Sequence, residues 1–231
     1  MDPHRAVAGD ARRVYRLAFA AGLLVLAVAL AGGFARIARR DHALPGLAQD
    51  PLLEASRSAG IGEKDAARAE YAAAVLLNEG DDNLLLQAGV GLRDGGHLAD
   101  SETALRRALA VRPKAAAHAH LGWTLMRRGR LDEAAASFET ALRLDPRDSM
   151  ALSGMGEVWL SRDRYPEAAA AFKRAIASGT PTAGTLNSFG ITLALGGEPA
   201  AAVHAFEAAA RLSPTPDILA NLARAREAAR R

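Results

Sequence analysis

Cysteine is absent from the 231 residues. That excludes disulfides, thiolate nucleophiles, iron–sulfur clusters, cysteine-ligated zinc and a lipid attached through an N-terminal cysteine. Aromatic residues are scarce, at 5%, and the only lysines are Lys64, Lys114 and Lys173. A chain that is half apolar and 24% charged is nevertheless globular in composition, so wholesale disorder is excluded. What fills the space is alanine, the strongest helix former, and a helical chain is expected.

The net charge of +3 is unevenly spread. Residues 1–41 hold seven arginines against Asp2, Asp10 and Asp41, a balance of +4, whereas residues 42–231 hold 22 basic and 23 acidic side chains. The basicity therefore flanks one segment instead of forming a stripe along the molecule, and no nucleic-acid partner is expected. That segment runs from Leu17 to Ala35 without a charge. As a helix it would span roughly 28 Å, close to the ~30 Å of a bilayer's hydrocarbon. Arg12, Arg13 and Arg16 precede it; Arg36, Arg39 and Arg40 follow it. Residues 17–37 are read as a single transmembrane helix in the lipid bilayer, after a basic tail, 1–16, and before a linker, 38–47. A cleavable signal peptide competes with this reading, because Ala27-Val28-Ala29 and Ala29-Leu30-Ala31 fit the small-x-small cleavage pattern. The arginine excess before the span favours a cytoplasmic N-terminus and a globular part outside the cytoplasm.

Beyond residue 47 the sequence repeats. Gly122, Gly156 and Gly190 are spaced by 34, with Gly89 a further 33 upstream. Phe138, Phe172 and Phe206 keep the same period of 34, and Ala108, Ala141, Ala175 and Ala209 recur at 33, 34 and 34. Pro113, Pro146 and Pro214 share the phase. A small residue at each glycine lets two helices approach closely, and the aromatics fill space that one unit alone could not close. Gly129 and Gly197 suit a left-handed turn between helices, while Pro146 and Pro214 stop a helix before the next begins.

This pattern resembles the tetratricopeptide repeat family, whose unit is a helix–turn–helix of 34 residues. Unit 115–148 carries it at Leu121, Gly122, Gly129, Ala134, Phe138, Ala141 and Pro146. Unit 149–182 keeps Gly156, Trp159, Tyr165, Ala168, Phe172 and Ala175, with Thr180 in place of the closing proline. Unit 183–216 keeps Gly190, Gly197, Ala202, Phe206, Ala209 and Pro214. Unit 82–114 is one residue short, with Ser101 where alanine is usual, and unit 48–81 is degenerate. The resemblance implies an all-α fold: a right-handed superhelix of five units over 48–216, closed by a capping helix over 217–231.

Catalytic signals are missing. The histidines at 4, 42, 97, 118, 120 and 204 make no metal-ligand spacing, and no phosphate loop, dinucleotide fingerprint or nucleophile elbow occurs. The chain is expected to be no enzyme and to carry no metal and no cofactor. The arginine pairs at 106–107, 127–128 and 230–231 are read as solvated faces.

The resemblance implies a concave groove lined by the first helix of each unit, where partner proteins bind. Carried onto this sequence, the protein-binding residues are Leu86, Val90 and Arg93; Ala119, Trp123, Met126 and Arg127; Met150, Ser153, Glu157 and Leu160; and Asn187 and Ile191. The set reads as an apolar groove with few charges, suited to an extended or helical segment. Trp123 stands between two roles, groove anchor and core filler; Trp159 lies at the core phase. Residues 183–223 are similar to the C-terminal repeats of proteins that assist assembly of the tight-adherence (Flp-type) pilus. The expected function is a scaffold anchored in a bacterial inner membrane, repeats in the periplasm, serving assembly of a pilus or secretion system. The alternatives are an apocytochrome-holding protein of cytochrome c maturation and an obligate structural subunit of a membrane complex.

Overall fold

The computed structural model describes residues 80–230 together with Arg68, Tyr71, Ala72 and Val75. All of these belong to one unit, Gln49–Arg231. The expected span at 17–37, the tail before it, the linker 38–47 and almost all of unit 48–81 lie outside the described residues. Among the described residues no helix is long and apolar enough to cross a membrane.

Nine helices follow one another among the described residues, with no strand: α1 (Asp82–Asp94), α2 (Leu98–Val111), α3 (Ala115–Arg127), α4 (Leu131–Leu144), α5 (Ser149–Leu160), α6 (Tyr165–Ser178), α7 (Ala183–Leu195), α8 (Pro199–Leu212) and α9 (Pro216–Ala228). The first helix of each pair is launched from a loop, and in α1, α5, α7 and α9 a side chain caps it. Asp81 accepts from the amides of Asn83 and Leu84 (3.0 and 3.1 Å), and Asp148 from Ala151 (2.8 Å). Thr182 accepts from Thr185 (3.1 Å) and Thr215 from Ile218 (3.4 Å). Each satisfies a donor that the helix start leaves unpaired.

The second helix of each pair has no such cap and needs none to set its direction. The preceding turn closes with an amide reaching back five residues: His97 to Leu92 (2.8 Å), Arg130 to Leu125 (3.0 Å), Arg164 to Trp159 (2.9 Å) and Glu198 to Leu193 (2.8 Å). The residue before that amide is left-handed each time. Gly96, Gly129 and Gly197 have φ of 89°, 75° and 84°, and Asp163 takes the same place at 56°. So α1 packs on α2, α3 on α4, α5 on α6 and α7 on α8, while α3 also touches α1 and α5, and α5 touches α7. The first helices thus share one side of an all-α solenoid.

What seats each pair is an aromatic ring against a glycine. Phe138 and Phe172 are completely buried and Phe206 nearly so. A Cβ built on Gly122 would stand 2.5 Å from the Phe138 ring; on Gly156 or Gly190 it would stand 2.7 Å from Phe172 or Phe206. Leu105 plays the ring's part against Gly89, at 2.6 Å. Phe138 is gripped twice, because Gly154 of the next pair also lies against its far edge, too close for any added carbon. The ring therefore belongs to two units at once.

Polar groups join the units as well. Ser101, buried where alanine is usual, donates to the Gly89 carbonyl (2.7 Å) and lies 3.0 Å from the Thr124 hydroxyl. Buried Glu102 receives Arg106, Arg128 and Arg130, the last at 2.8 Å. Arg106 and Arg128 are thus not simply a solvated face: they neutralise a buried carboxylate of α2. At the other end α9 lays Ile218, Leu222 and Ala225 onto the last pair.

Phe138→Ala is expected to destabilise the chain by about 3–5 kcal/mol, from lost burial plus the cavity left behind. Gly154→Ala should cost about 1–3 kcal/mol by pushing on the same ring. Gly184→Ala, whose Cβ meets nothing nearer than 3.6 Å, should be neutral or stabilising by about 0.5–1 kcal/mol. Urea midpoints at constant slope read all three.

Candidate functional site

On the side shared by the first helices, α3, α5 and α7 and the α6–α7 connection border a cavity of about 480 Å³. Arg93 reaches it from α1, and Trp123 and Arg127 from α3. Helix α5 gives Ser149, Met150, Ser153 and Glu157; α6 gives Ala175. Thr180, Pro181 and Thr182 of the connection and Gly184, Thr185 and Ser188 of α7 complete it.

Trp123 does both of the things its spacing left open. Its ring meets Phe138 edge to face, with centroids 6.0 Å apart at 76°. Its indole Nε1 donates to the Met150 carbonyl across the unit boundary, at 3.3 Å. The rest of the half-buried ring faces the cavity, so the same side chain joins core and groove. Trp159, by contrast, packs on the core and carries Arg164 over its face at 4.6 Å.

Arg127 is not merely solvated. One of its nitrogens donates to the Arg93 carbonyl (2.6 Å) in the last turn of α1, where a cation suits the helix dipole. The Arg93 side chain is committed in turn, donating to Asp94 (2.9 Å) and to Nδ1 of His120 (3.0 Å). A guanidinium has only donors, so His120 accepts and its ring is neutral. Burial and then the nearby Arg93 charge lower its pKa to about 4, against weaker opposite pulls from Asp148 and Asp94.

Glu157 stands in the opposite electrostatic situation. Burial raises its pKa, and the hydrogen bond from Ser188 offsets this only in part. The same lining holds a row of hydroxyls: Ser153 is 3.3 Å from Thr185, and Thr185 is 3.0 Å from Thr182. The cavity is thus lined by apolar Trp123, Met150, Ala175 and Pro181, by hydroxyls, by one carboxylate and by one outward guanidinium. Most of the lining surface is apolar, with these polar groups set into it.

Of the residues singled out by sequence, Arg93, Trp123, Arg127, Met150, Ser153 and Glu157 come together here. The others do not line the cavity. Ala119 is fully buried, and Leu86 and Met126 pack on the core cluster around Phe138. Ile191 packs around Phe206, and Asn187 accepts a hydrogen bond from Asn221 of α9 at 3.0 Å. Val90 and Leu160 are half-buried elsewhere. Conversely, the contribution of Thr180, Pro181, Thr182, Thr185 and Ser188 was not read from sequence. The available signal was the replacement of a closing proline by Thr180-Pro181, which alters the connection between two units.

His120 supplies a pH test. Its folded pKa lies below its unfolded value, so the unfolded chain binds the proton more tightly and stability must fall as pH drops from about 6.5 to about 4. The contribution is at most roughly 3 kcal/mol. His120→Gln should flatten this window relative to the unmodified chain, in urea titrations at pH 7, 5.5 and 4.5; parallel curves would count against a neutral, accepting ring.

A tetratricopeptide repeat family model matches residues 86–149 and 120–182. Superkiller complex protein 3 of Mus musculus is 34% identical over 122 residues, which is 49% of this chain. The matched stretch is only 8% of the mouse protein's length. Among solved structures, a thermophilic tetratricopeptide protein of Thermus thermophilus superposes with a TM-score of 0.63 at 20% identity, over 77% of this chain and 97% of that one. PilF of Pseudomonas aeruginosa superposes with a TM-score of 0.58 at 25% identity, over 64% of this chain and 69% of that one. Periodicity, paired helices and these likenesses converge: residues 86–182 carry tetratricopeptide repeats, and the described helices form the solenoid scaffold of that fold, suited to binding other proteins.

Proposed function

We propose that the chain is a membrane-anchored tetratricopeptide scaffold that holds a segment of a partner protein in the groove of α3, α5 and α7. The observation that carries this is the cavity itself. It lies where three successive first helices meet, and side chains from separate units converge on it. Rigid pairs held by buried rings would offer the partner a preformed surface with little ordering cost.

The anchor rests on the uncharged stretch Leu17–Ala35 and its flanking arginines. Confinement to a bilayer would raise the effective concentration of the groove near other membrane components. The setting we infer is assembly of a cell-envelope apparatus, a pilus or secretion system, with the repeats on the periplasmic face of a bacterial inner membrane. The similarity of residues 183–223 to tight-adherence pilus assembly proteins supports that setting, and so does the likeness to PilF.

Two measurements test this reading. Alkaline phosphatase fused after Arg231 should be active, and a cytoplasm-only fluorescent protein at the same point should be dark; the reverse pattern would sink the periplasmic setting. A photocrosslinking residue at Met150, in the groove, should give a discrete adduct in cells. The same residue at exposed Lys173 on α6 should not, and equal adducts from both would remove the groove from the proposal.

A further inference from the structure

The charges around the cavity do not cancel locally. Arg93 is matched by Asp94 at 2.9 Å. Arg127 spends one nitrogen on the Arg93 carbonyl and has the remainder of its fork exposed. Glu157 sits apart from both: among the described residues no ion pair reaches it, and the Ser188 hydroxyl hydrogen-bonds its carboxylate. A half-buried carboxylate is costly to leave without a counter-charge. Here that cost already exists in the free protein, so an incoming cation gains the attraction without desolvating Glu157 afresh.

We propose that the cavity is a subsite for one basic side chain, arginine or lysine, of an extended partner segment, with Glu157 as its counter-ion. The inference rests on the groove being the partner site, and it names the chemistry recognised there. Four observations select this occupant. The volume of about 480 Å³ exceeds what a single water needs and suits a long side chain. Trp123 and Met150 offer an aromatic face and a flexible apolar surface along which a methylene stem lies, with its charged head carried further. Ser188 beside the carboxylate, and Ser153 and Thr185 in the same lining, offer hydroxyl oxygens to accept the N–H groups that it does not take. Arg127, on the α3 side, repels a second cation and donates to a backbone carbonyl of the same segment, which orients the basic head toward α5 and α7. An acidic side chain would instead bring like charge against Glu157.

The test uses the full-length chain in mild detergent and fluorescein-labelled octapeptide pools, capped at both ends, each with one fixed central residue: arginine, lysine, citrulline, norleucine or glutamate. Fluorescence polarisation should show the arginine and lysine pools binding at least tenfold more tightly than the citrulline, norleucine and glutamate pools. Glu157→Gln, nearly isosteric, should abolish that preference while leaving norleucine binding within twofold; Glu157→Lys should turn the preference toward glutamate. Circular dichroism checks that both variants fold, and Ser188→Ala, which leaves the carboxylate in place, should keep the basic preference if they do not. Equal binding of all pools, with Trp123→Phe weakening each alike, would overturn the basic subsite while the groove stands. No binding by any pool would overturn both the subsite and the groove.

Discussion

Three of the four helix pairs in this solenoid are registered by a flat ring lying where a glycine has no side chain, and the first pair by a leucine in the same place. The ring buries all of its surface, and the glycine fixes how near the two helices come. Because Phe138 is held by Gly122 on one side and Gly154 on the other, the seat also fixes the step from one pair to the next. The groove inherits its geometry from that step. Trp123 leans on Phe138 and reaches the Met150 carbonyl, so the cavity wall is continuous with the core beneath it. A change in the buried ring would be felt in the cavity without touching any residue that lines it.

The fold was largely legible because its controlling contacts repeat. Glycine, phenylalanine and alanine in one phase can be read without knowing what they touch, and the structure pairs them as the spacing implies. The left-handed turn at residue 163 was less legible, since aspartate stands where the other turns have glycine. The pairing of Arg128 with Glu102 was not legible at all. Arg106 sits one turn from Glu102 on α2, a spacing open to reading, but Arg128 comes from the neighbouring unit in no shared phase, and a run of arginines looks the same whether it is solvated or drawn onto a buried acid.

The candidate site was legible by half, for a comparable reason. Residues on the first helices follow the family's phase, and Arg93, Trp123, Arg127, Met150, Ser153 and Glu157 line one cavity. Helical phase says which way a residue points but not whether a later element covers it. Asn187 has the right phase and is taken by Asn221 of α9. Thr180 and Thr182 of the α6–α7 connection lie outside any helical period, so only the assembled chain shows that they line the same cavity as Glu157. Those out-of-phase residues are also what make this groove chemically individual, since the apolar seam is common to the architecture.

The aspartate at residue 163 has a consequence that lies outside the folded molecule. Its backbone adopts φ of 56°, and its carboxylate accepts from the Tyr165 hydroxyl at 2.9 Å. Glycine at that point would reach the same conformation more easily, but it would also wander more widely when the chain is unfolded. The turn between α5 and α6 therefore surrenders less freedom on folding than its counterparts at Gly129 and Gly197. The pair that carries Glu157 thus sets a smaller entropy loss, arising in its denatured ensemble, against the strain of a left-handed side chain, a balance that no inventory of native contacts would register.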